Sequence, residues 1–133
     1  MGRLQESVLY YRGDKETGDQ QVRLLKSVFI RMGIRIKNIR QDQVLEQVGY
    51  LAGMPGFSKR EDAGEETAPN ITGDMLVLHQ FTSARVDQLL LNLRKAGVPK
   101  VDLKAVITPQ NAGWTFYHLY EELKEEHEKL HEL

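Results

Sequence analysis

Two segments of the chain, QQVRLLKSVFIRMGI (residues 20–34) and RVDQLLLNLRKAGV (85–98), share one plan. Each follows a short apolar run, repeats apolar side chains at helical spacing, and stops at a glycine followed by a β-branched residue. Val22, Leu25, Val28, Phe29 and Met32 mark the apolar face of the first; Val86, Leu89, Leu90 and Leu93 mark the second. Each then leads into another strand-like run. Strand, helix and strand in alternation, twice over, is the pattern of βαβ units whose crossover helices cover a sheet. The pattern predicts a small three-layer α/β domain. Duplication would explain the echo, and so would the similar demands of two βαβ units.

The first unit spans 7–52. SVLYY (7–11) is its opening strand, RGDKETGD (12–19) a polar connection, and residues 20–32 a helix with Asp19 as cap and Gly33 as stop. Ile34, Ile36 and Ile39 form the second strand, with Arg35 and Lys37 facing the other way. Such alternation suits an exposed edge, where charged side chains discourage pairing. Residues 42–52 then read as a helix with Val44, Leu45, Val48 and Leu51 on its apolar face. The second unit spans 74–130. DMLVLHQF (74–81) is a near-continuous apolar run, expected of a strand covered on both faces. Thr82 or Ser83 caps the helix that ends at Gly97, Lys104–Thr108 is the fourth strand, and a long helix runs from about residue 112 with Phe116, Tyr117, Tyr120 and Leu123 on its stripe. Residues 53–73 hold four glycines and two prolines without periodicity, and read as a flexible insert. The whole of 1–133 is expected to be a single domain. Its four-stranded sheet should be mostly parallel in the order 2-1-3-4, with RIKNI at an edge.

Composition narrows the function classes. At 133 residues the chain can bury one core. It contains no cysteine, which removes disulfides, thiol catalysis and cysteine-held metals. The opening MGRLQESVLYY lacks a long apolar signal and no later run reaches membrane-spanning length, so a cytoplasmic location and no membrane partner are expected. Residues 1–60 carry eleven Lys/Arg against six Asp/Glu, and residues 61–133 seven against thirteen. That polarity could orient a partner, but it is not the overall basic bias of a dedicated nucleic-acid binder.

The candidate site follows from the strand order. A reversal between strands one and three places a crevice beyond their C-terminal ends, where Tyr11, Arg12, Gly13, His79, Gln80 and Phe81 would meet. Arg12 is suited to hold an anion bidentately, and His79 to donate a hydrogen bond or move a proton near neutral pH. The RGDKETG loop has neither the GxGxxG nor the GxxxxGK[ST] spacing of a phosphate cradle, and Asp14 is its nearest carboxylate. The stretch TPQNAGW (108–114) admits two readings. Thr108 or Asn111 could cap a helix, with Pro109 in the turn; or Thr108, Gln110 and Asn111 could face an anion at the helix N-terminus. In the tail, His127 and His131 stand four apart, a spacing that without further ligands reads as a solvated face rather than a metal site. Leu119, Leu123 and Leu130 offer a seam that a homodimer would use. Arg31, Arg35, Lys37 and Arg40 are the best nucleic-acid candidates, but no aromatic platform accompanies them.

MLVLHQF, TPQNAGW and HLYEELKEEH together resemble an uncharacterised bacterial domain-of-unknown-function family of small α/β proteins, over roughly residues 74–125. The resemblance implies the fold class and supplies no catalytic residue, substrate or cofactor. The reading that emerges is a non-enzymatic binding or regulatory domain. It recognises a small anionic ligand or a protein partner through Arg12, His79, Gln80, Thr108 and Asn111. The alternatives are a small enzyme using His79 as acid or base, and weak nucleic-acid binding through 31–40. No motif specifies a cofactor.

Overall fold

In the computed structural model, which describes residues 5–13, 17–60 and 68–131, β1 (Ser7–Tyr11) runs through the middle with all five residues buried. Its neighbours are β2 (Arg35–Asn38) and β3 (Met75–His79), and β4 (Leu103–Val106) lies beyond β3. The order β2-β1-β3-β4 is the one the sequence predicts. β1 and β2 are parallel, as are β3 and β4, but β1 and β3 are antiparallel, with Ser7 opposite His79 and Tyr11 opposite Met75. The sheet is therefore mixed.

Chain geometry explains the reversal. α1 (Asp19–Arg31) and α3 (Ser83–Lys95) have 13 residues each, about 20 Å at 1.5 Å per residue, enough to return the chain along the sheet. α2 (Val48–Leu51) has only four residues, about 6 Å of rise. No helix of crossover length lies between β2 and β3 among the described residues, and β3 starts at the end where β1 stops, running the other way.

Helices cover both faces. Leu9, Tyr11, Met75 and Val77 pack with Val48 of α2 and with Phe116 and Leu119 of α4 (Phe116–His131). Val8, Tyr10, Leu76 and Leu78 pack with Leu25, Val28 and Phe29 of α1 and with Leu89 and Leu93 of α3. Alternate residues of each central strand feed opposite cores, which is why these strands read as continuous apolar runs. Each such fully buried side chain contributes about 1.5–3 kcal/mol.

The two halves share one hydrogen-bond plan. Ile39 N donates to Tyr10 O at 2.8 Å, and Ile107 N donates to Leu78 O at 2.9 Å. Gly33 and Gly97 end α1 and α3 at φ +73° and +81°, a left-handed conformation that glycine adopts without steric cost. Val48 N donates to Trp114 O at 2.8 Å and Phe116 N to Glu46 O at 2.9 Å, on either side of an antiparallel bridge between Gln47 and Thr115. Exchange of the halves maps each of these contacts onto its partner. The units are thus related by an approximate two-fold axis passing between β1 and β3 at Leu9 and Val77.

Several local expectations change. The helix expected over 42–52 is a 3-10 turn (Gln41–Gln43) followed by the short α2. The Gln43 side chain holds Arg40 N, and Gln47 is drawn into extended geometry at the bridge. For the same reason the last helix begins at Phe116 rather than near 112: residues 111–113 form a 3-10 turn, and Thr115 Oγ1 accepts His118 N at 3.0 Å. Gly18, not Asp19, occupies the N-cap of α1, with no side-chain cap bond; Thr82 caps α3 by accepting Arg85 N at 3.2 Å. At both ends the 53–73 segment is tied to the domain. Phe57 covers Gly49, Arg60 N donates to Glu46 Oε1 at 3.0 Å, Gln41 Nε2 donates to Ala68 O at 2.6 Å, and Ile71 is buried.

Candidate functional site

The antiparallel centre divides the crevice predicted between strands one and three. The C-terminal end of β1, with Arg12, lies beside the start of β3; His79 and Gln80 lie at the opposite end, beside Glu6 and Ser7. Because β4 runs parallel to β3, Thr108 and Asn111 share that opposite end. Four of the five predicted residues are therefore gathered at one end of the sheet and Arg12 stands at the other.

At the His79 end the groups are engaged in shaping the chain. Asn111 is buried; its Oδ1 accepts Thr108 N at 2.9 Å and its Nδ2 donates to Val106 O at 3.1 Å, while Thr108 Oγ1 accepts Asn111 N at 3.1 Å. These bonds close the turn between β4 and α4. Trp114 tilts against His118 with ring centroids 4.6 Å apart. Gln80 adopts φ +64°, an uncommon conformation for a residue with a Cβ, and turns the chain out of β3 into the Thr82 cap. Half-buried His79 has its pKa lowered, chiefly by burial and further by the positive charge of Lys37.

Arg12 borders a different feature. Its guanidinium bonds Thr17 O and pairs with Asp19 at 3.0 Å, beside a cleft of about 490 Å³ at the C-terminal end of β1. Tyr10 and Asp74 form part of its floor, Gln21 its α1 side, Lys100 the connection after α3, and Tyr120 and Lys124 its α4 side. Thr17 Oγ1 donates to Asp74 Oδ2 at 2.8 Å, and the Thr72 and Tyr120 hydroxyls bond at 3.1 Å. Burial raises the Tyr10 phenol to about 12, and the neighbouring Asp74 charge adds to this while Arg12 opposes it. Gly13 lets the two loops meet: a Cβ there would stand 2.4 Å from Gly73 O and 2.6 Å from Ile71 O. The volume falls in the range of small-ligand sites, and the lining offers ammonium, carboxylate and phenol groups together.

Asp74, Gln21, Lys100 and Lys124 went unremarked in the sequence because each lies on a separate element and none belongs to a spaced motif. The 31–40 stretch does not present its cations as one row. Arg31 ends α1, Lys37 is half-buried with Nζ 3.5 Å from Leu51 O, and Arg40 pairs with Asp42 at 3.0 Å. His127 lies 3.8 Å from Asp102; the side chain of His131, like Asp14, falls outside the described residues. Among the described residues, no group of three or more His, Cys, Asp or Glu is placed to hold a metal, and no helix is long and apolar enough to cross a membrane.

No curated protein and no solved structure matches the chain. The second unit, from the Asp74 that floors the cleft through the helix that carries Lys124, matches a family model over residues 74–130, and that family is a domain of unknown function (DUF3783).

Proposed function

We propose that the chain is a non-enzymatic binding domain that takes a small anionic ligand in the cleft beside Tyr10 and Asp74. The observation that carries this reading is the cleft of about 490 Å³, whose lining includes Lys100 and Lys124 together with the carboxylates Asp74, Asp102 and Glu128. An anion between two ammonium groups exchanges water for charge-assisted hydrogen bonds, and Arg12, one residue beyond β1, adds positive potential at the rim. In this reading the protein acts in the bacterial cytoplasm as a homodimer. Leu130, 71% exposed on α4, is a candidate dimer contact.

Titration of the full chain with succinate and with inorganic phosphate, followed by amide chemical shifts, tests it. Saturable shifts at Gln21, Gly73, Lys100 and Lys124 are expected, and a Lys100→Ala, Lys124→Ala double variant that keeps its fold should lose them. No saturable shift around the cleft with either probe would dismiss the reading.

A further inference from the structure

A second cavity, of about 480 Å³, lies between α1 and α3, lined by residues of those helices and of their C-caps. Arg85, Gln88, Asn92 and Lys95 follow one another at intervals of three and four, and so form one stripe along α3. Arg85 Nη2 donates to Met32 O at 2.9 Å, which sets the end of α1 beside the start of α3. Arg31 therefore stands at the Arg85 end of this groove. Lys95 stands at the other end, about 15 Å along α3 from Arg85 at 1.5 Å per residue.

The polar groups left over in the groove are mostly donors. Arg85 spends its charge on Glu6, with Nε donating to Oε2 at 2.9 Å and Nη2 to Oε1 at 2.7 Å. Its Nη1 donates to Gln88 Oε1 at 2.9 Å, which leaves the Gln88 Nε2 hydrogens for another acceptor. The side chains of Arg31, Asn92 and Lys95 make no hydrogen bond or ion pair with the described residues. No carboxylate is among the described residues that line this groove, whereas the cleft beside Tyr10 mixes its lysines with Asp74, Asp102 and Glu128. Val28, Met32 and Ala96 add apolar lining. Leu91, three residues after Gln88 and four before Lys95, flanks the stripe and is 45% exposed.

We infer that the groove is a docking surface for a short, extended acidic segment of a partner protein. One carboxylate of the segment meets Arg31, another meets Lys95, and an apolar side chain between them covers the lining beside Leu91. In an extended strand, residues four apart share a face and stand about 13 Å from one another, which matches the groove. A phosphate chain would satisfy the cations but leave the apolar surface uncovered. No aromatic side chain is among the lining residues for a base to stack on.

Three blocked pentapeptides test the assignment: Glu-Ser-Leu-Ser-Glu, Gln-Ser-Leu-Ser-Gln and Lys-Ser-Leu-Ser-Lys. Each is titrated into the full chain at low salt and followed by amide chemical shifts. The glutamate peptide is expected to shift Arg31, Gln88, Asn92 and Lys95 saturably. It should bind at least about fivefold more tightly than the glutamine peptide, the yield of two exposed ion pairs. Arg31→Gln with Lys95→Gln should erase that preference, and Arg31→Glu with Lys95→Glu should turn it toward the lysine peptide. Equal binding of the glutamate and glutamine peptides, or no saturable shift in the groove, overturns the proposal. Tighter binding there of a thymidine decanucleotide also overturns it, and reassigns the groove to nucleic acid. Shifts at Gly73 and Lys124 report the cleft instead, so the two sites stand or fall separately.

Discussion

Asn111 and Gln43 make the same bond in the two halves of the protein: Asn111 Oδ1 accepts Thr108 N at 2.9 Å, and Gln43 Oε1 accepts Arg40 N at 2.8 Å. Each closes the turn that follows an edge strand. The shared geometry accounts for the bonds between Thr108 and Asn111 in TPQNAGW. Asn111 is buried and bonds Val106 O as well, whereas the Gln43 bond is exposed. Asn111→Ala should therefore cost about 1–3 kcal/mol by removing the two bonds of a buried side chain to the backbone, and Gln43→Ala less. Urea unfolding of both variants checks the ranking; equal losses would contradict it.

Glu6 and Arg85 form the most buried ion pair among the described residues. Glu6→Gln leaves a largely buried guanidinium without its carboxylate and should destabilise by about 3–5 kcal/mol. Replacing both partners, Glu6→Leu with Arg85→Met, should recover most of that loss, since the desolvation cost disappears with the charges. A double variant as unstable as the single one would show that shape, not charge, dominates.

His79 sets an acid-side limit. Its pKa in the folded protein lies below the ordinary 6.5, so on acidification the unfolded chain takes up the proton first. Stability is unaffected where the imidazole is neutral in both states, falls as pH drops through 6.5, and levels off below the folded value. His79→Gln should remove this part of the acid loss. Melting temperatures between neutral and mildly acidic pH, compared for the two proteins, test it; parallel curves would rule it out.

Tyr10 sets the alkaline counterpart. With its phenol raised to about 12 against an ordinary 10.0, the unfolded chain ionises first, and stability should fall as pH rises from 10.0 toward 12. Burial raises the Tyr11 phenol as well, so phenolate absorbance should show a late-titrating component in the native protein that is reduced in Tyr10→Phe. An undiminished late component in that variant would reassign it.

Gly13→Ala should destabilise the fold, on the order of 1–3 kcal/mol, because its Cβ would meet two backbone carbonyl oxygens rather than a movable side chain. Relief requires the loop after β1 to part from residues 71–73, so shifts in the Gly73 and Asp74 amides should accompany the loss. A thermally unchanged variant would mean that the loops separate at no cost.

The alternation of apolar runs and helical stripes determined the layers, the four strands and their order. Burial is a property of side-chain type and spacing, both written in the chain. Gly33 and Gly97 likewise announced their turns, because an L side chain is strained there. The direction of β3 was not legible. It depends on how far the chain travels between β2 and β3, and that turned on whether DQVLEQVGYLA would be one helix or a turn and a fragment. Apolar spacing favours the helix. The Gln47–Thr115 bridge, between residues far apart in sequence, ends it. The site shared that fate. Arg12 and His79 look like neighbours only if the central strands are parallel, whereas the cleft gathers Gln21, Asp74, Lys100 and Lys124 from four elements. The two-fold relation likewise exists only once the halves face one another.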